Sequence, residues 1–157
     1  MTSAHPHPRR THHALWRHLL GAAALGLAAC AAHAAELTLT INGLASADGA
    51  LGCALFAEAA AARFPLDQDA ATTQRVPARE GSVQCVFRGL PAGSYAAAVA
   101  HDLNGNGKTD RNLLGMPTEP WAVSNNLRPT LRAPRFAEAA ISLGADERRS
   151  LVLQLAR

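Results

Sequence analysis

Apolar and polar residues alternate along most of the chain after residue 35, which is the period of a β-strand with one buried face. Leu37, Leu39 and Ile41, for example, are separated by polar residues. Only the alanine-rich stretch 58–63 favours a helical turn or two. Similar short runs between turns rich in glycine and proline predict strands at 37–42, 50–57, 75–77, 82–88, 95–101, 137–143 and 151–155. About seven strands predict an all-β chain that forms a single β-sandwich.

The beginning of the chain has the composition of an export signal. The apolar run Leu19–Ala29 is preceded by basic residues and followed by small ones. This run is too short to span a bilayer as a helix, which takes roughly 20 residues. We therefore expect residues 1–34 to be a disordered or helical signal peptide. The basic residues are Arg9, Arg10 and Arg17.

The sequence allows two cleavage sites. Ala32-His33-Ala34 fits ordinary signal peptidase, which would release residues 35–157 as a periplasmic or secreted domain. The residues up to Cys30 are instead similar to a lipoprotein signal, in which residues 1–29 are removed and Cys30 is acylated. The first alternative is favoured. Attachment to a membrane is expected only in the second.

The net charge of the domain differs from that of the whole chain. Three of the 15 basic residues and none of the 12 acidic ones precede residue 35, so the remainder carries 12 of each. A domain without net charge or a basic cluster is not expected to bind nucleic acid. The expected partner is an envelope component or a glycan.

Cys53 and Cys85 both stand in alternating runs, with apolar residues two positions away on each side. Residues two apart share a face of a strand, so both sulfurs are predicted to point into the core. In an exported chain this arrangement predicts a disulfide bond. Two unpaired buried thiols are the alternative.

The segment 102–110 has the spacing of a calcium-binding loop. Asp102, Asn104 and Asn106 alternate, and Gly107 follows where such loops turn sharply. The twelfth position is Leu113 where an EF-hand has glutamate, so we expect a loop between strands that binds calcium. The predicted ligands are Asp102, Asn104, Asn106, the carbonyl of Lys108, Asp110 and Glu119. The alternative is an asparagine–glycine turn without metal.

The predicted loop continues to about residue 129 and holds Trp121, Asn125 and Asn126. An aromatic ring beside amides could bind a carbohydrate or a peptide, which gives one hypothesis for function. The other is a structural envelope domain, in which calcium only orders the loop at 102–119 and Trp121 covers one end of the core. An exposed ring with free asparagines would favour binding.

Enzymatic activity is not expected. Residues 35–157 contain one histidine, His101, which cannot by itself form a histidine-rich zinc site. No nucleophile-elbow motif supplies a serine for it. His101 is predicted instead to lie at the end of a strand and to hydrogen-bond the loop that begins at Asp102.

Several motifs occur in a fixed order along the chain. They are Ala54-Leu55-Phe56, Phe64-Pro65, Gly-Leu-Pro-Ala-Gly-Ser-Tyr (89–95), the 101–110 loop, Gly115-x-Pro117-x-Glu119, Ser124-Asn125-Asn126 and Pro134-x-Phe136-x-x-Ala139. Together they resemble the bacterial secreted domain-of-unknown-function family 2141, from Leu37 to Leu155. This resemblance implies an immunoglobulin-like or prealbumin-like sandwich, similar to transthyretin-like and carboxypeptidase-regulatory-like domains, and it does not imply an activity. Trp121 stands where tyrosine is commoner in this family.

Overall fold

A computed structural model describes residues 1–2, 34–113, 115–130 and 132–156. Residues 3–33 of the predicted signal peptide, which include Cys30, lie outside the described residues. Eight strands and a few short helical segments follow in the order of the chain. They are β1 (Ala35–Leu44), β2 (Ala50–Ala57), β3 (Thr72–Pro77), β4 (Gly81–Leu90), β5 (Gly93–Asp102), β6 (Trp121–Val123), α1 (Phe136–Ala139), β7 (Ile141–Leu143) and β8 (Arg148–Gln154), with 3₁₀ turns at Glu58–Arg63, Gln68–Ala70 and Ser124–Asn126.

The strands form two sheets. In the first, β1 lies between β4 and β8 and is antiparallel to β4 but parallel to β8. The second has the order β3-β2-β5-β6, with β7 paired to the beginning of β5. The prediction of an all-β sandwich is confirmed, with eight strands in the described part of the chain where about seven were expected.

The main core lies between the two sheets and consists of the inward residues of each strand. Leu37, Leu39 and Ile41 of β1 are completely buried, as their alternation predicts. The predicted disulfide is also present, and it joins β2 to β4 through Cys53 and Cys85, whose Cα atoms are 6.6 Å apart. Because its loop spans about 30 residues, closing it stabilises the fold by about 3–4 kcal/mol in the chain-entropy model.

A second, smaller core covers part of the outer face of the five-stranded sheet. Phe64 contacts Phe56 and Phe136 edge to face, with ring centroids 5.3 Å and 6.1 Å apart. Such aromatic pairs stabilise by about 0.5–1.5 kcal/mol beyond the area that they bury. The 58–63 turn and α1 therefore pack on this face, and the described residues leave the rest of it uncovered.

Two segments form a different element from the one predicted. The segment predicted as one strand at 137–143 begins as the helical turn α1, and only Ile141–Leu143 is strand. The carboxylate of Glu138 accepts the N–H of Arg135 at 3.0 Å and thereby caps the turn. The predicted loop 102–129 also contains a strand, β6, which pairs with Ala98–Ala100 of β5.

Side-chain amides hold both outer strands of the three-stranded sheet. On β4, Gln74 donates from Nε2 to the Val86 carbonyl at 2.6 Å and accepts the Val86 N–H at 3.1 Å. On β8, Asn126 donates to the Val152 carbonyl at 3.0 Å and accepts the Gln154 N–H at 2.8 Å. Each amide thus pairs with a strand as a neighbouring backbone would.

Tyr95 lies at the strand entry that contributes to the family resemblance. Its hydroxyl donates to the Pro91 carbonyl at 2.8 Å, four residues upstream. This local bond resembles the tyrosine corner of β-sandwiches. Within the described part of the chain, none of the helices has the length and apolar character to cross a membrane.

Candidate functional site

The uncovered part of the five-stranded sheet forms the floor of a cleft. Its outward positions on β2 and β5 are Gly52, Ala98 and Ala100, on the same face as the covered Phe56. Side chains this small leave space above the sheet. A glycine inside a strand commonly marks a place where another group approaches the backbone closely.

The cleft has an apolar part of about 280 Å³ and a polar part of about 430 Å³. Both parts border Gln68, Ala100 and Thr109, so they are neighbours on one floor. Their size is in the range of sites that bind small molecules or a few residues of a polymer. The apolar walls include Pro65, Leu66, Met116, Pro117, Trp121 and Pro134, and the polar walls include Asp69, Thr73, Arg75, Asp102, Gly107 and Lys108.

Trp121 lines the apolar part and is half-buried. The Arg128 guanidinium lies 4.9 Å from the centroid of its ring and donates to the Trp121 and Gln154 carbonyls. Partial burial lowers the pKa of Arg128, which nevertheless stays far above neutral pH. These contacts hold the indole in place at the wall of the cleft.

Asp102 lies at the end of β5 and is 3% exposed. Its Oδ1 accepts the N–H groups of Gly105 and Asn106 at 2.8 Å and 3.1 Å. Its Oδ2 accepts the N–H of Gly107 at 2.7 Å and pairs with the Arg75 guanidinium at 2.6 Å. Burial raises the pKa of this carboxyl, but Arg75 and the N–H groups outweigh burial and hold the pKa below its ordinary value. Asp102 is therefore ionised and fully hydrogen-bonded near neutral pH.

Two of the predicted ligands, Asn104 and Asn106, converge on the carboxylate of a third, Asp110. Asn104 donates from Nδ2 to Asp110 at 2.7 Å, and Asn106 donates from Nδ2 to the other oxygen of Asp110 at 2.9 Å. The N–H of Lys108 donates to the Asn106 side-chain oxygen at 2.9 Å. These side chains thus lie together, as the spacing predicts, and hydrogen bonds between them order the loop.

Glu119 has a different place from the one expected of a sixth calcium ligand. It is 5% exposed and accepts the N–H of Leu103 at 2.9 Å and that of Asp110 at 3.0 Å. Its carboxylate therefore joins the two ends of the 103–110 loop. In the described ranges, no three or more histidine, cysteine, aspartate or glutamate side chains form a group that could hold a metal.

The predicted ligands therefore fit calcium only in part. Calcium needs six to eight oxygens. Here the amide nitrogens of Asn104 and Asn106 face Asp110, and Arg75 already neutralises Asp102. Calcium would require both amides to turn their oxygens inward and Arg75 to move away.

Asn125 and Asn126 do not have free amides. Asn125 donates to the Glu138 carbonyl at 2.9 Å, and Asn126 pairs with β8. Both have a left-handed backbone, with φ of 64° and 51°, which asparagine adopts more easily than most residues. The hydrogen bonds do not support the predicted ligand-binding role of these two amides and give them a structural one.

His101 is buried and lies on the opposite face of β5 from Ala100 and Asp102. Its Nε2 donates to the Asp48 carbonyl at 2.8 Å. The neighbouring Gly49 has φ of 65°, and a Cβ there would lie 1.9 Å from the Asp102 carbonyl. The side chain of His101 thus hydrogen-bonds the β1–β2 turn and not the loop that follows Asp102, which was the predicted partner.

The sequence reasoning did not identify Arg75 or the alanine floor as part of a site. Arg75 on β3 reaches across β2 to Asp102 at the end of β5. This contact depends on the order of the strands in the sheet, which no spacing in the sequence reveals. Gly52 did carry a usable signal, since glycine within an apolar alternating run is unfavourable unless something approaches it.

Comparison with protein families identifies residues 39–150 with the family described as "Uncharacterized protein conserved in bacteria (DUF2141)". The chain belongs to this family. The matched region of the DUF2141 domain includes the disulfide, the loop from Asp102, and the cleft residues through Pro134. No match was found among curated proteins or among solved structures.

Proposed function

We propose that this DUF2141 domain is an exported, non-catalytic binding domain whose ligand lies in the cleft on the five-stranded sheet. The observation that carries the proposal is the floor of Gly52, Ala98 and Ala100 beside the half-buried Trp121. An exposed sheet face is normally polar, because alternate residues meet water. Here that face presents small apolar residues and an ordered aromatic wall.

The walls favour a short peptide segment over a sugar. The apolar part is lined by proline, leucine and methionine side chains in addition to Trp121, which suits an aliphatic or prolyl side chain. In the polar part, Lys108 and Asp69 take part in none of the ion pairs between described residues, so they are available to charged groups of a peptide.

Export is supported by the composition of residues 1–34 and by the Cys53–Cys85 disulfide, since disulfides persist in oxidising compartments. The proposed location is the periplasm or the exterior. Acylation at Cys30 would instead give an envelope lipoprotein, and the mass of the native N-terminal peptide distinguishes the two.

Trp121 makes the binding proposal directly testable, because it is the single tryptophan in residues 35–157. We would titrate the domain with short synthetic peptides that carry a proline–leucine pair between charged residues, and follow tryptophan fluorescence. Saturable quenching or a spectral shift is expected. N-acetylglucosamine oligosaccharides serve as the sugar probe. If they shift the fluorescence and the peptides do not, the ligand is a glycan.

Ala98→Leu is the matched test of the site, because it fills the floor without removing a core side chain. It should abolish the fluorescence response. Val152→Ala is the control, since Val152 is exposed on the other sheet, and it should leave the response unchanged. A response that survives Ala98→Leu would place binding elsewhere.

A further inference from the structure

An asparagine directly followed by glycine occurs three times in the chain, at Asn42-Gly43, Asn104-Gly105 and Asn106-Gly107. Such pairs are chemically labile because glycine has no side chain to hinder its own nitrogen. In deamidation, the glycine nitrogen loses its proton and bonds to the asparagine Cγ, and ammonia leaves. Water then opens the cyclic imide to aspartate or isoaspartate. Asn104 and Asn106 are both exposed, so lack of water does not protect them.

Asp102 binds the two nitrogens that would attack. Its Oδ1 accepts the Gly105 N–H at 2.8 Å, and its Oδ2 accepts the Gly107 N–H at 2.7 Å. Removing either proton would place a negative nitrogen directly against a carboxylate. Like charges at this distance repel strongly, and the hydrogen bond to a charged acceptor is lost as well.

Asp110 holds the other reacting group. The amides of Asn104 and Asn106 donate to its two oxygens at 2.7 Å and 2.9 Å. Each side chain must leave Asp110 before it can fold back over the following glycine. Asp110 is partly exposed while Asp102 is 3% exposed, so the bonds to Asp102 are the better shielded from water.

We propose that Asn104 and Asn106 are deamidation sites whose reaction Asp102 slows in the folded protein. Asp110 contributes less to this protection. When the loop opens, both asparagines can react. Reaction at both would add two carboxylates beside Asp102 and Asp110, and their mutual repulsion would then keep the loop open.

The first experiment compares the folded domain with the same domain in denaturant, at one mildly alkaline pH. Peptide mapping by mass spectrometry follows each asparagine separately. In denaturant we expect all three sites to react at similar rates. In the folded domain Asn104 and Asn106 should react at least about tenfold more slowly, the factor that about 1.4 kcal/mol represents. Equal rates at these two sites in both conditions would overturn the proposal.

The second experiment identifies the protecting group. Asp102→Ala should accelerate reaction at Asn104 and Asn106 by about tenfold, the effect of one lost charged hydrogen bond. Asp102→Asn keeps an acceptor without its charge, so its deamidation rates should lie between those of the wild type and of Asp102→Ala. Asn42 lies in β1 and reports global unfolding, so its rate should rise only as far as the lower stability of each variant requires. In both variants Asn104 and Asn106 should still react faster than Asn42, and rates no higher than that of Asn42 would assign their reaction to global unfolding and overturn the assignment to Asp102.

Asp67→Ala is the matched control. Asp67 also accepts a nearby backbone N–H, that of Asp69 at 3.2 Å, but is not adjacent to an asparagine–glycine pair. It should leave all three rates unchanged. Acceleration at Asn104 and Asn106 by this variant would show that the protection is not specific to Asp102.

Discussion

Two pairs of asparagines stand on either side of Trp121, and the structure uses them differently. Asn104 and Asn106 donate to the carboxylate of Asp110 and order a loop that borders the cleft. Asn125 and Asn126 have left-handed backbones and donate to backbone carbonyls of α1 and β8. The first pair is therefore bound to side chains that a ligand or cation could displace. The second pair completes the hydrogen bonding of secondary structure.

The difference shows that amide-rich composition alone does not indicate a binding site. What distinguishes the pairs is the partner of each amide. A carboxylate can exchange an amide for a cation, whereas a strand carbonyl without its amide must find water. Four predictions test this distinction, beginning with the largest expected effect.

Asp102→Ala should lower the free energy of unfolding by about 2–4 kcal/mol. It removes a buried acceptor of three N–H groups and leaves Arg75 without its partner. Urea denaturation at neutral pH measures the change. A loss below about 0.5 kcal/mol, the usual range for exposed substitutions, would mean that the first loop is no better anchored than any surface turn.

Asn126→Ala should destabilise by about 1–2 kcal/mol, because it removes two hydrogen bonds to β8 and puts alanine at φ of 51°. Asn126→Gly separates the two effects, since glycine relieves the backbone strain. Asn104→Ala, in an exposed position, should cost less than about 0.5 kcal/mol. Similar losses for Asn126→Ala and Asn104→Ala would remove the distinction between the pairs.

Calcium should raise the melting temperature if the first pair can exchange partners. Calcium at ten times its dissociation constant would raise the free energy of unfolding by about 1.4 kcal/mol. Arg75→Ala should strengthen this response, because calcium no longer competes with the guanidinium, and Asp102→Ala should abolish it. If calcium does not change the melting temperature of either the wild type or Arg75→Ala, the loop is ordered by its hydrogen bonds alone.

The smallest of the four expected effects is the contribution of Asp102 to the pH dependence of stability. Its pKa is lowered in the folded state, so its contribution to stability is complete above the unfolded pKa of about 3.9 and is lost as the pH falls through the folded value. The difference in stability between wild type and Asp102→Asn should therefore shrink below about pH 4. A difference that stays constant down to acid unfolding would contradict the assignment.

The fold could be predicted because its signals are local. The alternation at Leu37, Leu39 and Ile41 and the inward positions of Cys53 and Cys85 both follow from the two-residue period of a strand. β6 escaped prediction because three residues are too few for a period. α1 escaped because Glu138 caps it through contacts with Arg132 and Arg135, which the alternation does not encode.

In the site, contacts between residues close in the sequence could be predicted, and contacts between residues on different strands could not. The clustering of Asn104, Asn106 and Asp110 follows from their spacing, because a tight loop brings such residues together. The pairing of Arg75 with Asp102 depends on the order of strands β3, β2 and β5. Likewise the floor of the cleft became visible only when the strands carrying Gly52 and Ala98 lay side by side.

The side-chain amides on β4 and β8 have a consequence for crowded conditions. Open strand edges allow copies of a protein to join edge to edge and aggregate. A second copy that approached at Val86 or Gln154 would first have to displace Gln74 or Asn126, which already occupy those N–H groups. Each encounter therefore begins with the loss of hydrogen bonds. Asn126 in this way gives the domain some protection against self-association, which would matter most at high local concentration.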